Sequence, residues 1–283
     1  MSPDGPVADA NASRNTRRER GRRARWAPAR AALAALLQDH LVPGARVAVV
    51  GAGNGDDLPL GAIAARASSV TLLDIDPDAA LRARGRVRRG LRRRVRTLRH
   101  DVTGGAADHV VRGAVAAGGD PVGPPAPGGA PGSAAPLPGG PYDLVIGDLL
   151  YSQLLYPALL DAGVPADRRR AAIGGHGAAL TAAVVARLHA SAPVVVHLQD
   201  LACWGNGYEQ PVDLEDVLEA AETDLPAALA LAARTKGPRE SDPRRAVEAL
   251  GIPVLATALW RWPFVEGVDY LVVATVAGEP AGA

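Results

Sequence analysis

The feature that most constrains this chain is a recurring unit, a short aliphatic run that stops on glycine or aspartate. It appears as VAVVGAGNGDD from Val47, VTLLDIDPD from Val70, VRTLRHD from Val95, YDLVIGD from Tyr142 and PVVVHLQD from Pro193. Between these runs lie segments long enough for a helix, several with apolar residues at helical spacing. Strands that are apolar on both faces need cover on both faces, and intervening helices supply it. The pattern therefore predicts an α/β protein built on a doubly wound, mostly parallel sheet with helices on either side, a three-layer α/β/α arrangement.

The rest of the chain extends the same alternation. Trp26 to Val42 carries Leu33, Leu36, Leu37 and Leu41 at helical spacing, and Pro43 and Gly44 end it. Further helices are predicted over Leu58 to Ala67, from Pro77 onward, and over Thr181 to His189. Strands six and seven are predicted at Pro253 to Trp262 and Asp269 to Val276. The short linker PFVEGV between them fits a hairpin, so the seventh strand is expected to run antiparallel. Residues 1–25 hold seven arginines and little apolar material, and read as a disordered basic arm. A domain over 26–283 follows, with two decorations. A Gly/Pro/Ala run at 118–141 reads as a flexible, disordered insertion, and a polar segment at 205–250 reads as a lid or substrate wall.

Composition narrows the classes of function. The chain has 283 residues and a net charge of +1, so as a whole it is no electrostatic binder of polyanions. Alanine supplies 57 residues and only ten are aromatic, so Leu and Val must do most of the packing. Lys236 is the sole lysine. That bias for arginine lowers the information in the ten arginines from Arg82 to Arg99, which read as a solvated helix face before they read as a phosphate-binding surface. A single cysteine, Cys203, excludes an internal disulfide and a cysteine-built metal site. No run of 18 apolar residues is present, and charges stand where a signal peptide needs its apolar region. A cytoplasmic protein without a membrane partner is expected.

The chemistry-bearing residues fall at predicted carboxyl ends of strands, the edge where open α/β sheets bind ligands. Gly51, Gly53 and Gly55, with Ala52 and Asn54 between them, let the backbone turn sharply and approach a ligand closely. Asp74, 23 residues after Gly51, is placed to accept both hydroxyls of a ribose, and Asp76 or Asp78 is the better helix cap. Asp101 either accepts from an adenine amino group or serves its own turn. Asp148 faces the middle of the cleft. A dinucleotide fingerprint is disfavoured, because its third glycine falls on Asp56, whose charge would repel a pyrophosphate.

The order VAVVGAGNGDD, VTLLDID, LRHDVTG, YDLVIGDLLY and a terminal antiparallel strand resembles the class I S-adenosylmethionine-dependent methyltransferases over about Trp26 to Val276. The resemblance implies that Gly51 to Gly55 pass under the methionine portion of S-adenosylmethionine. It implies that Asp74 with Ile75 holds the ribose, that Asp101 with Val102 lies near the adenine, and that Asp148 faces the methionine end and the acceptor. One position departs from the family. An acidic residue usually stands two places before the first glycine, and Val49 is there instead. Asp56 or Asp57 replaces it, or the methionine end is held differently.

For the acceptor, Asp148 and Tyr151 in DLLY superficially resemble the D-P-P-Y loop of enzymes that methylate nucleobase amines, but both prolines are missing. His176, in the glycine-flanked IGGHG, is either a general base or a loop residue. His197 faces away from Asp200 by strand alternation and reads as a core histidine. Tyr156, Trp204 and Tyr208 are candidates for lining an acceptor pocket. The acidic stretch Glu209 to Asp224 docks the arm, attracts a cationic acceptor, or is a solvated lid. The expected activity is methyl transfer to a small-molecule acceptor, a specialised metabolite, with Asp148, Tyr151 and His176 as candidate catalytic residues. The alternatives are an RNA methyltransferase using the basic arm, an aminopropyl transferase, and a non-catalytic binding protein on the same fold.

Overall fold

The computed structural model of the protein describes residues 5–17, 19–116, 135–237 and 239–279. Seven strands form one sheet: β1 (Arg46–Val50), β2 (Ser69–Asp74), β3 (Val95–Arg99), β4 (Leu144–Gly147), β5 (Val194–Trp204), β6 (Val254–Val265) and β7 (Val268–Gly278). Their spatial order is β3-β2-β1-β4-β5-β7-β6, with β1 to β5 parallel and β7 antiparallel to both its neighbours. This is the sheet read from the sequence, including its reversed last strand.

The aliphatic runs are explained by cover on both faces. Val47 and Val49 pack in one cluster with Leu72, Ile146 and Val196, while Ala48 and Val50 pack in another with Leu73, Val145 and Val195. Helices α1 (Pro6–Thr16), α2 (Arg22–Arg25), α3 (Ala27–His40), α4 (Leu60–Arg66) and α5 (Pro77–Arg86) precede β3. Of these, α3, α4 and α5 cover the first face through Leu33, Ile63 and Ala83. The second face is covered by α6 (Ala106–Ala116), α7 (Tyr156–Asp161) and α8 (Ala166–His189). Pro77 and Asp76 start α5 as the sequence suggests: the Asp76 carboxylate accepts from the amides of Asp78 and Ala79 at 3.0 and 3.1 Å. Strand order reverses between β1 and β4, where Asp148 donates its amide to Val50 at 2.9 Å. The crevice of the sheet opens there.

The N-terminus differs from the expected disordered arm. Pro6 begins α1, which buries Val7, Ala8 and Ala10 against α6 and α7. The Val7 amide donates to Asp108 at 2.9 Å, and Arg14 makes a two-pronged bond to Asp161 at 2.7 and 3.0 Å. Alanines and one valine, too small to register as an apolar stripe, suffice because the helix lies in a groove between two others. Farther on, Arg22 and Arg25 bind Asp56, Glu19 and the carbonyls of Pro263 and Phe264, and the Trp26 indole donates to Phe264 at 2.9 Å. Three of the arm's seven arginines, Arg14, Arg22 and Arg25, are thus paired with carboxylates inside the molecule.

Of the expected insertion at 118–141, residues 118–134 lie outside the described residues, and Leu137 just beyond them is buried. The 205–250 segment folds as α9 (Leu214–Thr223), α10 (Leu225–Ala232) and α11 (Pro243–Ala249). Val212, Leu214, Val217 and Ala232 form a satellite core with Leu201, Leu271 and Val273 of β5 and β7. Among the described residues no ion pair joins its acidic side chains to the arm; Glu215 instead pairs with Arg261. Helix α8 is 24 residues long, which meets the length of a membrane span. It nevertheless buries Leu180, Val184, Val185 and Leu188 in the core of the second face.

The docking of α1 turns on Asp108, a carboxylate beside a helix N-terminus that also receives an amide. Asp108→Ala is expected to loosen this helix by about 1–2 kcal/mol. Hydrogen exchange should then rise over residues 6–16 and stay unchanged in β1, β2 and β4.

Candidate functional site

The glycine loop leaves β1 at the strand-order reversal. Gly51, Gly53 and Gly55 have φ of +77, +46 and +61°, a region that favours glycine. At Gly51 the space is also closed, since a Cβ there would lie 3.1 Å from both the Asp148 carbonyl oxygen and the Leu150 Cβ. Ala52 is fully buried beneath the loop. The Gly53 amide donates to the Asp74 carboxylate at 2.7 Å, and the Asp76 amide donates to its other oxygen at 2.8 Å. One carboxylate therefore ties the glycine loop to the turn after β2. Burial pushes Asp74 up to about 6 even though two amides bind its charged form.

Asp148 stands across the loop at the end of β4. It is 5% exposed, and its Oδ1 has no hydrogen-bond partner among the described residues. Burial raises its pKa well above the carboxylate range, and Asp57 and Asp74 raise it further. Asp57 is itself raised, by burial and by Asp56. Asp57 and Asp74 thus both repel a charge on Asp148 and no cation offsets them there, whereas Asp57 is itself opposed by Arg22 and Arg30. Asp56 behaves differently: Arg22 and Arg86 each hold one of its oxygens at 2.6 Å. Of the two candidates to replace the missing acid, Asp57 joins the cluster and Asp56 is neutralised. Val49 is fully buried in the core facing α3 and α4, a place where a carboxylate would have no partner.

Asp101 serves its own turn. One oxygen accepts from the Thr103 amide and hydroxyl at 2.8 and 2.7 Å, and the other from the Gly105 amide at 2.6 Å. Val102 gives its carbonyl to Arg187 at 2.6 Å, and Ile75 packs half-buried against the second core. Asn54 is buried; its amide donates to the Asn15 carbonyl and its oxygen accepts from Arg82.

Two of the expected catalytic residues are placed elsewhere. Tyr151 is 1% exposed in the second core and shares a 2.5 Å hydrogen bond with His197, which in turn meets His189 at 3.0 Å. The turn after β4 rotates it inward, and burial raises its pKa well above that of a free phenol. His176 lies in helix rather than a loop, ten residues and about 15 Å along the axis from the start of α8. The glycines around it do not break the helix because α8 is held by tertiary packing. His197 is the core histidine that strand alternation suggests.

Two residues at the site escaped sequence reasoning. Asn15, at the end of α1, donates to Asp76 at 3.0 Å and lies against Gly53, where a Cβ would be 3.6 Å from its Oδ1. Asp200 is 7% exposed beyond the parallel part of β5, accepts from Ser152 at 2.8 Å, and has its second oxygen unpartnered among the described residues. Burial pushes it up to about 7. The sequence places it at the end of the fifth strand, but β5 runs on to Trp204, so Asp200 lies within the strand. Among the aromatics, Tyr156 and Tyr208 are about half exposed, and Trp204 donates to Val212.

No family model matches the chain, and no curated protein matches it. Solved structures of similar outline include magnesium protoporphyrin IX methyltransferase from Synechocystis PCC 6803 with bound S-adenosylhomocysteine. It is 16% identical over 90% of this chain and 83% of that one, with a TM-score of 0.45. A chain from the complex between the Haloferax volcanii Trm112 activator and a methyltransferase is 13% identical over 99% of this chain and 100% of that one, at 0.46. A Pyrococcus horikoshii protein described as an RNA methyltransferase is 13% identical over 87% and 79%, at 0.41. What establishes the fold is the strand order itself together with the reversed β7. The chain has the class I methyltransferase fold.

Burial of unpartnered carboxylates fixes a pH dependence. Asp200 moves from 3.8 to about 7 and Asp74 from 3.8 to about 6, so the folded state binds these protons more tightly than the unfolded state. Stability should therefore fall as pH rises from about 4 to about 7, with the full penalty above that. Asp200→Asn keeps an acceptor for Ser152 and removes the charge. It is expected to melt several degrees higher than the parent at pH 8, with the gap narrowing steadily as the pH is lowered towards 4, as read by calorimetric scans.

Proposed function

We propose that the protein transfers a methyl group from S-adenosylmethionine to a small-molecule acceptor, a specialised metabolite. The observation that carries this reading is the buried, unpartnered oxygen of Asp148 beside Asp57 and Asp74, facing a loop in which Gly51 leaves no room for a side chain. A cluster of raised carboxylates is stabilised by a cation, and both the sulfonium and the amino group of this cofactor are cationic. The donor set therefore fits the group. Asp74 would hold the ribose with the lone pairs not used by Gly53 and Asp76. Asp148 and Asp57 would face the methionine end in place of the acid missing at Val49.

Bound there, the sulfonium supplies an already activated leaving group for in-line displacement. The chain's task is then to align a nucleophile and, where the acceptor needs it, to take a proton. Asp148 follows β4, and Asp200 lies on the adjacent β5 three residues beyond the last β4 pairing at His197; raised to about 7, Asp200 is suited to accept a proton near neutrality. Ser152 fixes its orientation. Leu149 and Leu150 close the apolar side. Asp200 thereby takes the general-base role that the sequence offered to His176.

A small acceptor is favoured over RNA because the arm's Arg14, Arg22 and Arg25 are paired within the molecule. Arginines already bound to carboxylates release few counterions from a polyanion. The near-zero net charge agrees with this. A dinucleotide-like mode is unsuitable, since the anionic pyrophosphate would meet the Asp57, Asp74 and Asp148 carboxylates.

Calorimetry with S-adenosylmethionine and S-adenosylhomocysteine is expected to show micromolar binding. Asp148→Asn should weaken both about tenfold or more and leave adenosine unaffected. Because a bound cation lowers the pKa of the carboxyls it faces, binding should release protons, and affinity should rise between pH 5 and 8. Absence of binding by either compound would overturn the reading, as would an affinity indifferent to Asp74→Ala and Asp148→Asn. RNA affinity that rivals that for the cofactor, with a steep salt slope, would overturn the small-molecule acceptor.

A further inference from the structure

The two arginine-rich stretches, far apart in sequence, meet on the outer side of the glycine loop. Arg23 from α2 donates to the Gly55 carbonyl at 3.4 Å, and Arg30 from α3 donates to the Asp56 carbonyl at 2.5 Å. Arg86, the last residue of α5, holds Asp56 Oδ1 at 2.6 Å. Three guanidinium groups from three helices thus converge on two consecutive residues. They line a cavity of about 260 Å³ whose floor is Gly55, Leu58 and Leu60, and none of the residues lining it is acidic.

Charge and donors are both in surplus there. A guanidinium offers five N–H donors, and Arg23 and Arg30 each direct one of them to a loop carbonyl. Asp56, the nearest carboxylate, is shared between Arg86 and Arg22 and lies behind the cavity, not on its wall. Burial and the neighbouring Arg23 charge hold Arg30 below its ordinary value, with a smaller push from Arg86, while Asp56 and Asp57 act in the opposite direction.

We propose that this cavity is an anion site that takes the phosphate group of a small phosphorylated molecule, held by Arg23, Arg30 and Arg86. Planar guanidinium forks match the oxygens of a phosphate two at a time, and three forks suit a group with several charged oxygens better than a single carboxylate. The cavity lies outside the acid-lined cleft and shares Gly55 with the loop that separates them. The residues that would hold the phosphate are not those of the acid-lined cleft, so its occupancy can be read with no cofactor present.

The test is calorimetry on the full chain at low salt, with no cofactor present, using inorganic phosphate and pyrophosphate as probes. Saturable one-to-one binding is expected, about tenfold or more weaker in Arg30→Gln and in Arg23→Gln. Arg170→Gln, on the exposed part of α8, should bind as the parent does. Arg23 is exposed and adds only a long bond to the fold, so its variant guards against misfolding of the other; far-UV dichroism and melting temperature verify both. Absence of saturable binding to the parent would overturn the proposal, as would binding unchanged in both variants. Tight binding of a short RNA that pyrophosphate cannot displace, with a salt slope of several phosphates, would also overturn it in favour of a polyanion surface. None of these outcomes bears on whether the acid-lined cleft takes the sulfonium cofactor.

Discussion

The structure around the cleft depends on carboxylates that the fold buries without cations beside them. Asp74 and Asp148 end β2 and β4 on either side of β1, and neither can move away without disrupting the loop between them. Asp74 is fixed because it closes hydrogen bonds to Gly53 and Asp76. Asp148 is fixed because its amide completes the pairing with Val50 and its carbonyl packs against Gly51. Burying an unpaired charge is costly, and a protein tolerates that cost where a ligand of opposite charge relieves it. The glycines of the loop, the turn at Asp76 and the inward rotation of the chain after Asp148 all follow from keeping these two groups in place.

The N-terminal helices are part of the same arrangement. Asn15 reaches Asp76 and Asn54, and Arg22 and Arg86 neutralise Asp56, so the loop is braced from outside by residues remote in sequence. Trp26 then anchors the next helix on the β6–β7 hairpin, 4.8 Å from Trp262 and stacked on Phe264. With only ten aromatics in the chain, a substantial share of them is committed to this one seam. That explains why the aromatics contribute little to the cleft itself.

The sheet was legible because each strand is covered on both faces and so is written as an unbroken aliphatic run; β1 begins and ends where VAVV and its flanking residues place it. Asp74 and Asp148 were legible because strand ends are a positional rule that needs no side-chain geometry. Tyr151 was misplaced because three residues of turn decide whether a side chain faces core or cleft, and the missing prolines of the motif left that turn undetermined. His176 was misplaced because glycines that break an isolated helix are tolerated in one held by packing. The arm was misread because its apolar face consists of alanines and a single valine, whose burial depends on a groove built by α6 and α7. Asp101 had two readings, and the geometry of its turn uses both of its oxygens.

The separation of charge across the glycine loop also bears on which cofactors the fold admits. On the inner side stand Asp74 and Asp148; on the outer side stand Arg23, Arg30 and Arg86, with Asp56 and Asp57 acting on both sets. In a dinucleotide-binding sheet the loop after the first strand must receive a pyrophosphate on its inner side. Here that side would repel it, and the cations able to attract it point the other way. The same loop therefore excludes a nicotinamide dinucleotide and accepts a cationic ligand, through the sign of the field on its two faces, not through the spacing of its glycines.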